Sequence, residues 1–511
     1  MNGPGTAGPE SRERRFERRM RTAGLFAGPI AAVLLYALNP GGHEPEARRL
    51  LAVLGLTVAF WVTEAIPLPA TALLASALCI ILGVAPARAV LAPYSDPVIY
   101  VFVGTFLLAE AFRKYGLDRR VAGRLLGRGR FARTPLGRML GVGGASAVIS
   151  TCLSNTATAA LMTPVALGAT RSGREASVPP WVSGVLLMVA YGASIGGMAT
   201  LIGTPPNLLV AGFVDRLLGQ RIGFVDWLLF GLPIAAVLFA ASVLWTWLAL
   251  GRGAPAREDA EERARPGGSV AGPAGAAPDP GNGAAMRRGA RFTLAAFLLA
   301  GGLWTLPSAA TLVLGPGSAA AATLQARLPE AAVALFCAAL LFVVPVEWRR
   351  RRFALTWEEG KRVNWGIILL FGGGLSLGTL AETTGLAGWV GRGLHQSGFA
   401  QSDAGLLFAA VALSILVSEF ASNTASTSLL VPVVIATAQA AGLDPVRAAL
   451  GVGLAATCGF VFPVSTPPNA IVFGTGLVPL PRMIRAGILL DVTSLLVVWG
   501  GLLLMTPLLP R

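Results

Sequence analysis

Charge is what this sequence has least of. Of its 511 residues, 13% are Asp, Glu, Lys or Arg, about half the roughly 25% of a soluble globular chain. That shortage excludes an ordinary water-facing enzyme of this length. Histidine is scarcer still, with only His43 and His395, both in loops outside the apolar segments. No H-E-x-x-H occurs and no Ser-His pair falls at membrane depth, so the readings as zinc protease or intramembrane hydrolase are set aside. The four cysteines, Cys79, Cys152, Cys337 and Cys458, stand alone inside apolar segments. They have neither metal-ligand spacing nor the loop setting of disulfides, and are expected to be small buried hydrophobes.

What fills the chain is apolar: 54% of it is hydrophobic, with 63 Gly and 35 Pro, and the mean hydropathy is +0.66. Many segments approach the roughly 20 apolar residues that cross a bilayer, and frequent Gly and Pro suit membrane helices that pack closely or break. The reading is an all-α polytopic membrane protein whose lasting partner is the lipid bilayer. The net charge of +15 does not point to nucleic acid, because the basic residues collect in connectors. The N-terminal "SRERRFERRMR" reads as the cytoplasmic flank of a first transmembrane helix, without a signal-peptide cleavage site.

Eleven spans are expected, near 23–39, 50–66, 70–86, 97–112, 181–214, 226–250, 292–314, 331–347, 364–382, 446–474 and 484–508. Two further segments, about 139–168 and 404–438, are apolar but polar at their middles, and read as re-entrant helical hairpins. With the N-terminus inside and each hairpin returning to its own side, 32 of the 41 Lys and Arg fall inside, as the positive-inside rule requires. This sets the N-terminus in the cytoplasm and the C-terminus outside; the membrane is expected to be the plasma membrane. The divisions are 1–22, a basic cytoplasmic arm; 23–49, a first helix and outside loop; 50–250, a first repeat; 251–291, a disordered Ala/Gly/Pro-rich linker; and 292–511, a second repeat.

The repeat rests on motifs. "CLSNTATAALMTPVA" (152–166) is restated as "FASNTASTSLLVPVV" (420–434), and "IGTPPNLLV" (202–210) as "VSTPPNAIV" (464–472). The offsets are 269 for Gly116 and Gly385, 268 for Ser154 and Ser422, and 262 for Thr204 and Thr466. In the expected topology the first hairpin enters from inside and the second from outside, so the repeats are inverted. Inverted repeats with paired broken segments point to a secondary transporter with a midplane site.

A lone Ser-Asn-Thr in a membrane helix most often bonds a neighbouring helix; two copies, each followed by Thr-Pro-Pro-Asn, argue for a site. Their hydroxyl and amide oxygens can hold a small hard cation, and the helix N-termini can face an anion. The prolines lack an N–H and interrupt the helix, freeing preceding carbonyls. Uncharged oxygen ligands suit Na⁺ better than a transition metal. Neither motif carries Lys or Arg, so a dianion there needs cations bound with it. Glu64, Glu110, Glu382, Glu419 and Asp491 lie in or near spans, with structural pairing the first reading and a proton relay at Glu419 the second. Trp61, Trp181, Trp227, Trp304, Trp365 and Trp389 are expected in interfacial belts.

With "WVTEAIPLPATALL" (61–74), both hairpins and both proline breaks, residues 50–508 resemble the divalent anion/sodium symporters, solute carrier family 13. The resemblance implies a homodimer of protomers with a scaffold domain and a transport domain that moves as an elevator. It implies a first sodium site of Ser150, Ser154, Asn155 and the Gly203 backbone, and a second of Ser418, Asn423 and the Ala421 and Ser465 backbones. It implies substrate contacts from Ser154, Asn155, Thr156, Ser422, Asn423 and Thr424, with Thr204, Thr466 and Pro467 nearby. Ser418 stands where Thr is common, and Ser465 where a small apolar residue is. The expected activity is sodium-coupled symport of a C4-dicarboxylate; the alternatives are a sulfate or citrate carrier, a dicarboxylate exchanger, or a channel.

Overall fold

Proline decides where many of the apolar segments become separate helices. The computed structural model describes residues 9–40, 42–126, 134–170, 178–251, 283–315, 318–396 and 401–505, and is almost entirely helical. Pro97, Pro135, Pro180, Pro205, Pro445 and Pro467 each open a helix at its first position. There a missing N–H forfeits no hydrogen bond and the fixed φ suits the first turn. The exception to helix is a two-stranded antiparallel pair, Pro345–Glu347 with Arg352–Phe353.

Among the described residues eight helices are long and apolar enough to cross a membrane, or nine if the pair Ala319–Arg327 and Glu330–Val343, bent by 56°, is one span. Each expected span lies on helix, with differences. Pro45–Thr63 carries Glu46, Arg48 and Arg49 in its first turns and is not one of the eight. Leu68–Ile81 has only 14 residues. The expected spans 181–214 and 446–474 are each two helices, Pro180–Met198 with Pro205–Leu218 and Pro445–Ala455 with Pro467–Phe473. Of the expected linker, 252–282 lies outside the described residues, and 283–291 already belongs to helix Gly283–Leu314.

Both Ser-Asn-Thr stretches sit at the turn between two helices. The first pair is Pro135–Ser150 and Asn155–Thr170; the second is Asp403–Ser418 and Asn423–Ala441. Each pair starts from a hydroxyl cap, Thr134 accepting from Gly137 N–H at 3.0 Å and Ser402 from Gly405 N–H at 3.1 Å, which satisfies an otherwise free amide. Small residues seat the first pair: a Cβ at Gly192 or Gly196 would collide with the carbonyls of Gly143 and Ala147. That close approach is how membrane helices gain packing without a hydrophobic drive.

The halves interlock through glycine. Gly104, in Pro97–Lys114, lies against Ala334 of Glu330–Val343, where a Cβ would come within 2.5 Å of the Ala334 carbonyl carbon. Gly373, in Trp365–Thr383, lies against Ala72 of Leu68–Ile81, with its Cβ place 2.6 Å from the Ala72 Cβ. Each long helix then turns at a glycine of positive φ, Gly116 (60°) or Gly385 (75°), into an amphipathic helix, Leu117–Leu126 or Leu386–Gln396.

Two expectations fail on burial. Trp61, Trp227 and Trp304 are 3%, 0% and 6% exposed, so they belong to the packed interior and not to a belt. Cys152 is exposed, unlike the other three cysteines, because it stands in the turn of the first pair and not within a packed helix.

Candidate functional site

The spacing of five between Ser and Asn builds the first half of the site. Ser150 ends one helix and Asn155 begins the next, so the turn folds them face to face. The Ser150 hydroxyl donates to Asn155 Oδ1 at 2.9 Å. Ser154 Oγ accepts the Ala157 N–H at 3.3 Å. The Asn155 amide makes a long 3.5 Å contact to Thr204 Oγ1, which brings the Thr-Pro-Pro-Asn segment to the turn. Ser150 and Thr204 are buried, Ser154 and Asn155 half-buried, and Thr156 exposed. Gly203 is forced to be glycine by the neighbouring Gly197 carbonyl, 2.5 Å from where its Cβ would stand.

The second half repeats the geometry. The Ser418 hydroxyl lies 2.9 Å from Asn423 Oδ1 and 2.5 Å from the Ala456 carbonyl. Ala421, Thr424, Ser465 and Thr466 are buried, Ser422 and Asn423 half-buried, and Pro467 exposed. Ser465 Oγ donates toward the Gly459 and Phe462 carbonyls at 2.9 and 2.7 Å, while Thr466 Oγ1 accepts the Asn469 N–H at 3.3 Å. The predicted residues thus gather into two sets. The sets approach through helix packing, Asn155–Thr170 against Pro467–Phe473 and Asn423–Ala441 against Pro205–Leu218. Thr156, Ser422, Thr424 and Pro467 make none of these hydrogen bonds.

The proline pairs do not interrupt one continuous helix. The preceding helices end at Met198 and Ala455, and the prolines begin new ones. The segments between, 199–204 and 456–466, carry their backbone groups at burial depth, and such groups need partners. The asparagine of each motif supplies them. Asn207 donates its side-chain amide to the carbonyls of Gly197 at 2.9 Å and Thr200 at 2.7 Å. Asn469 donates to Gly459 at 2.9 Å and Phe462 at 3.0 Å, positions offset by the same 262 residues as the motifs. Both asparagines are fully buried. The motif suggested their amide oxygens as cation ligands; the structure shows their amide N–H groups bracing the backbone. Gly197 was also missed: a Cβ on it would collide with Asn155 Oδ1.

The surroundings of the two sets differ. Behind the second, buried Glu419 accepts the N–H groups of Val461 and Phe462 at 3.0 and 3.1 Å, and Asp491 that of Phe460 at 3.3 Å. The Tyr191 hydroxyl donates to the Phe460 carbonyl at 3.3 Å. Behind the first, Thr200 Oγ1 donates to the Thr151 carbonyl at 2.7 Å and the Trp227 indole to the Met198 carbonyl at 2.9 Å. Glu419 therefore braces the segment that precedes Thr466 from the turn of the second helix pair. Glu64 and Glu110 pair with Arg21 and Arg113.

Chemically, each set offers uncharged oxygen donors beside the N-terminus of a helix. Such a set can hold a hard monovalent cation and leave helix N–H groups to an anion. None of the residues in either set is basic.

Residues 24–506 match the family described as the sodium:sulfate symporter transmembrane region. A sodium-dependent dicarboxylate transporter of Staphylococcus saprophyticus is 29% identical over 487 residues, covering 93% of this chain and 89% of that one. An uncharacterized transporter of Haemophilus influenzae is 32% identical over 474 residues, covering 90% and 92%. Among solved structures, the YdaH transporter of Alcanivorax borkumensis superposes with a TM-score of 0.53 at 16% identity, over 82% of this chain and 87% of that one. MtrF of Neisseria gonorrhoeae superposes with a TM-score of 0.53 at 14% identity, over 87% and 96%. These two likenesses concern the fold alone.

Proposed function

Since the chain belongs to the sodium:sulfate symporter family, and is therefore a membrane transporter and not an enzyme, we propose that it carries a C4-dicarboxylate into the cytoplasm together with Na⁺. The observation that carries this reading is the duplicated Ser–Asn contact, Ser150 with Asn155 and Ser418 with Asn423, at 2.9 Å in both. Two sets of oxygen donors match two cation positions. The first uses Ser150, Ser154, Asn155 and the Gly203 carbonyl; the second uses Ser418, Asn423 and the carbonyls of Ala421 and Ser465. The similarity to sodium-dependent dicarboxylate transporters supports both the ion and the substrate class.

Coupling follows from shared residues. Ser154, Asn155, Thr156, Ser422, Asn423 and Thr424 meet the substrate carboxylates, with Thr204, Thr466 and Pro467 beside them. Asn155 and Asn423 thus serve ion and anion at once. Without a basic side chain in the site, the dianion's charge is offset by the bound cations, so neither crosses the low-dielectric layer readily alone. The interlocked halves and the matching offsets support two inverted repeats. We further assign the hairpins a re-entrant course, the N-terminus to the cytoplasm, and the working unit to a homodimer whose transport domain moves past its scaffold. In that movement the turns at Gly116 and Gly385 are the pivots.

Uptake of labelled succinate into proteoliposomes, with and without an inward sodium gradient, tests the reading. Accumulation that requires the gradient is expected. Uptake indifferent to sodium but dependent on internal dicarboxylate would make the protein an exchanger and overturn symport.

A further inference from the structure

The connector between Glu330–Val343 and Trp365–Thr383, "PVEWRRRRFALTWEEGKRVNW" (345–365), takes no part in the transport site. Its composition is unlike the rest of the chain. Trp348, Trp357 and Trp365 are 79%, 66% and 47% exposed. Between them Arg349, Arg351, Arg352 and Arg362 are exposed and take no acidic partner among the described residues, whereas Arg350 pairs with Glu347 and Lys361 with Glu358.

These groups stand on a fixed platform. Val346, Ala354, Leu355 and Val363 are buried beneath them. The backbone is tied down by Leu355 N–H to the Leu341 carbonyl at 2.8 Å and Ala354 N–H to that of Val344 at 3.2 Å. Two side chains from the end of Pro97–Lys114 reach the same place. Tyr115 donates its hydroxyl to the Ala354 carbonyl at 2.7 Å, and the Lys114 ammonium bridges that carbonyl at 3.0 Å and Glu359 at 2.7 Å.

We propose that this connector is a docking site for the headgroups of anionic phospholipids in the leaflet it faces. Free guanidinium groups match phosphodiester oxygens in charge and in fork geometry. Exposed indoles beside them suit the headgroup layer, where an apolar ring with one N–H donor is favoured. A soluble acidic protein would meet the arginines without needing three exposed tryptophans. The connector also joins two apolar helices, so it is held at the depth where headgroups lie. Because Lys114 and Tyr115 tie it to the residue preceding the Gly116 turn, lipid bound there restrains the start of the amphipathic helix Leu117–Leu126.

The test titrates the purified full-length chain, in neutral detergent, with phosphatidylglycerol or phosphatidylcholine and counts retained lipids by native mass spectrometry. The wild type is expected to hold phosphatidylglycerol more tightly. Each arginine near an anionic surface contributes about 1 kcal/mol, or about fivefold, so R349Q/R351Q/R352Q should lose on the order of a hundredfold. R287Q/R288Q, in another helix, should keep the preference. Equal retention of both lipids by the wild type, or undiminished phosphatidylglycerol affinity in the triple variant, overturns the proposal. A measurement on the wild type alone guards against misfolding of the variant: added NaCl should strip phosphatidylglycerol by screening. Retention unmoved by salt also overturns it, and loss of phosphatidylglycerol to an added acidic peptide but not to salt would reassign the surface to a protein partner.

Discussion

Asn207 holds the carbonyl of Gly197 at 2.9 Å, and Gly197 in turn lies against Asn155 Oδ1 so closely that it has no room for a side chain. A residue in the proline motif therefore sets the wall against which the candidate cation ligand rests. Asn469 does the same for Gly459, whose Cβ place lies 3.3 Å from the Ser418 carbonyl.

Replacing Asn207 by Leu should leave the Gly197 carbonyl without its side-chain donor and the Thr200 carbonyl with only the Gly203 N–H at 3.2 Å, at about 1–3 kcal/mol for an unsatisfied group. The expected outcome is a lower unfolding temperature in detergent. In the protein that remains folded, half-saturation by sodium should rise more than half-saturation by substrate. Equal shifts in both constants would deny Asn207 a particular link to the cation set.

Gly197→Ala places a Cβ on Asn155 Oδ1. Overpacking of this kind costs about 1–3 kcal/mol, and here it moves a ligand. Sodium-driven uptake should fall at least tenfold. Gly123→Ala, in a helix with nothing within 4 Å of the new methyl, should transport normally, which separates a local collision from a general intolerance of alanine.

Asn155→Ala and Asn423→Ala should each abolish sodium-coupled uptake while the protein remains folded in the membrane. Ser150→Ala, which removes one donor among several, should raise the half-saturating sodium concentration by about tenfold. Full uptake in both asparagine variants would remove the proposed site.

Glu359 provides a pH test away from the spans. Burial raises its pKa, but the hydrogen bonds from Lys114, the Thr356 N–H and the Thr356 hydroxyl outweigh burial and hold it below the ordinary carboxylate range. A lowered folded-state pKa means that the stabilisation is present above the unfolded value, near 4.3, and is lost as pH falls through the folded one. Glu359→Gln should therefore be less stable than wild type at pH 7 by on the order of 1 kcal/mol. The difference should close below about pH 4. Thermal unfolding of both proteins at the two pH values measures it.

Much of this architecture was written in residue types. Ser-Asn-Thr in an apolar run marked both turns, because polar atoms at that depth need a purpose. Pro-Pro marked where two short helices begin, at Pro205 and Pro467, but not where the preceding helices end, at Met198 and Ala455. The roles of Asn207 and Asn469 were not legible: residue type does not say which carbonyls a side-chain amide faces. Trp227 was misplaced because an indole is equally at home in a headgroup layer or in a packed core, and only the position of the Met198 carbonyl decides. Cys152 was misplaced because an apolar window averages over the turn that exposes it. Glu419 was read first as a structural group, but what it braces was not legible, because those backbone N–H groups come from residues more than forty positions away.

The glycine contacts between halves also bear on how the chain is made. Helix Pro97–Lys114 emerges from the ribosome about 230 residues before Ala334, the residue its Gly104 packs against. Until then Gly104 faces lipid or the insertion machinery, and the first half waits with a seam open. Leu68–Ile81 waits in the same way for Gly373. Neither half can finish alone, so a truncated product lacking the second half should be recognised and degraded as an orphan. Two fragments split within 252–282 and expressed together should recover each other inside the membrane.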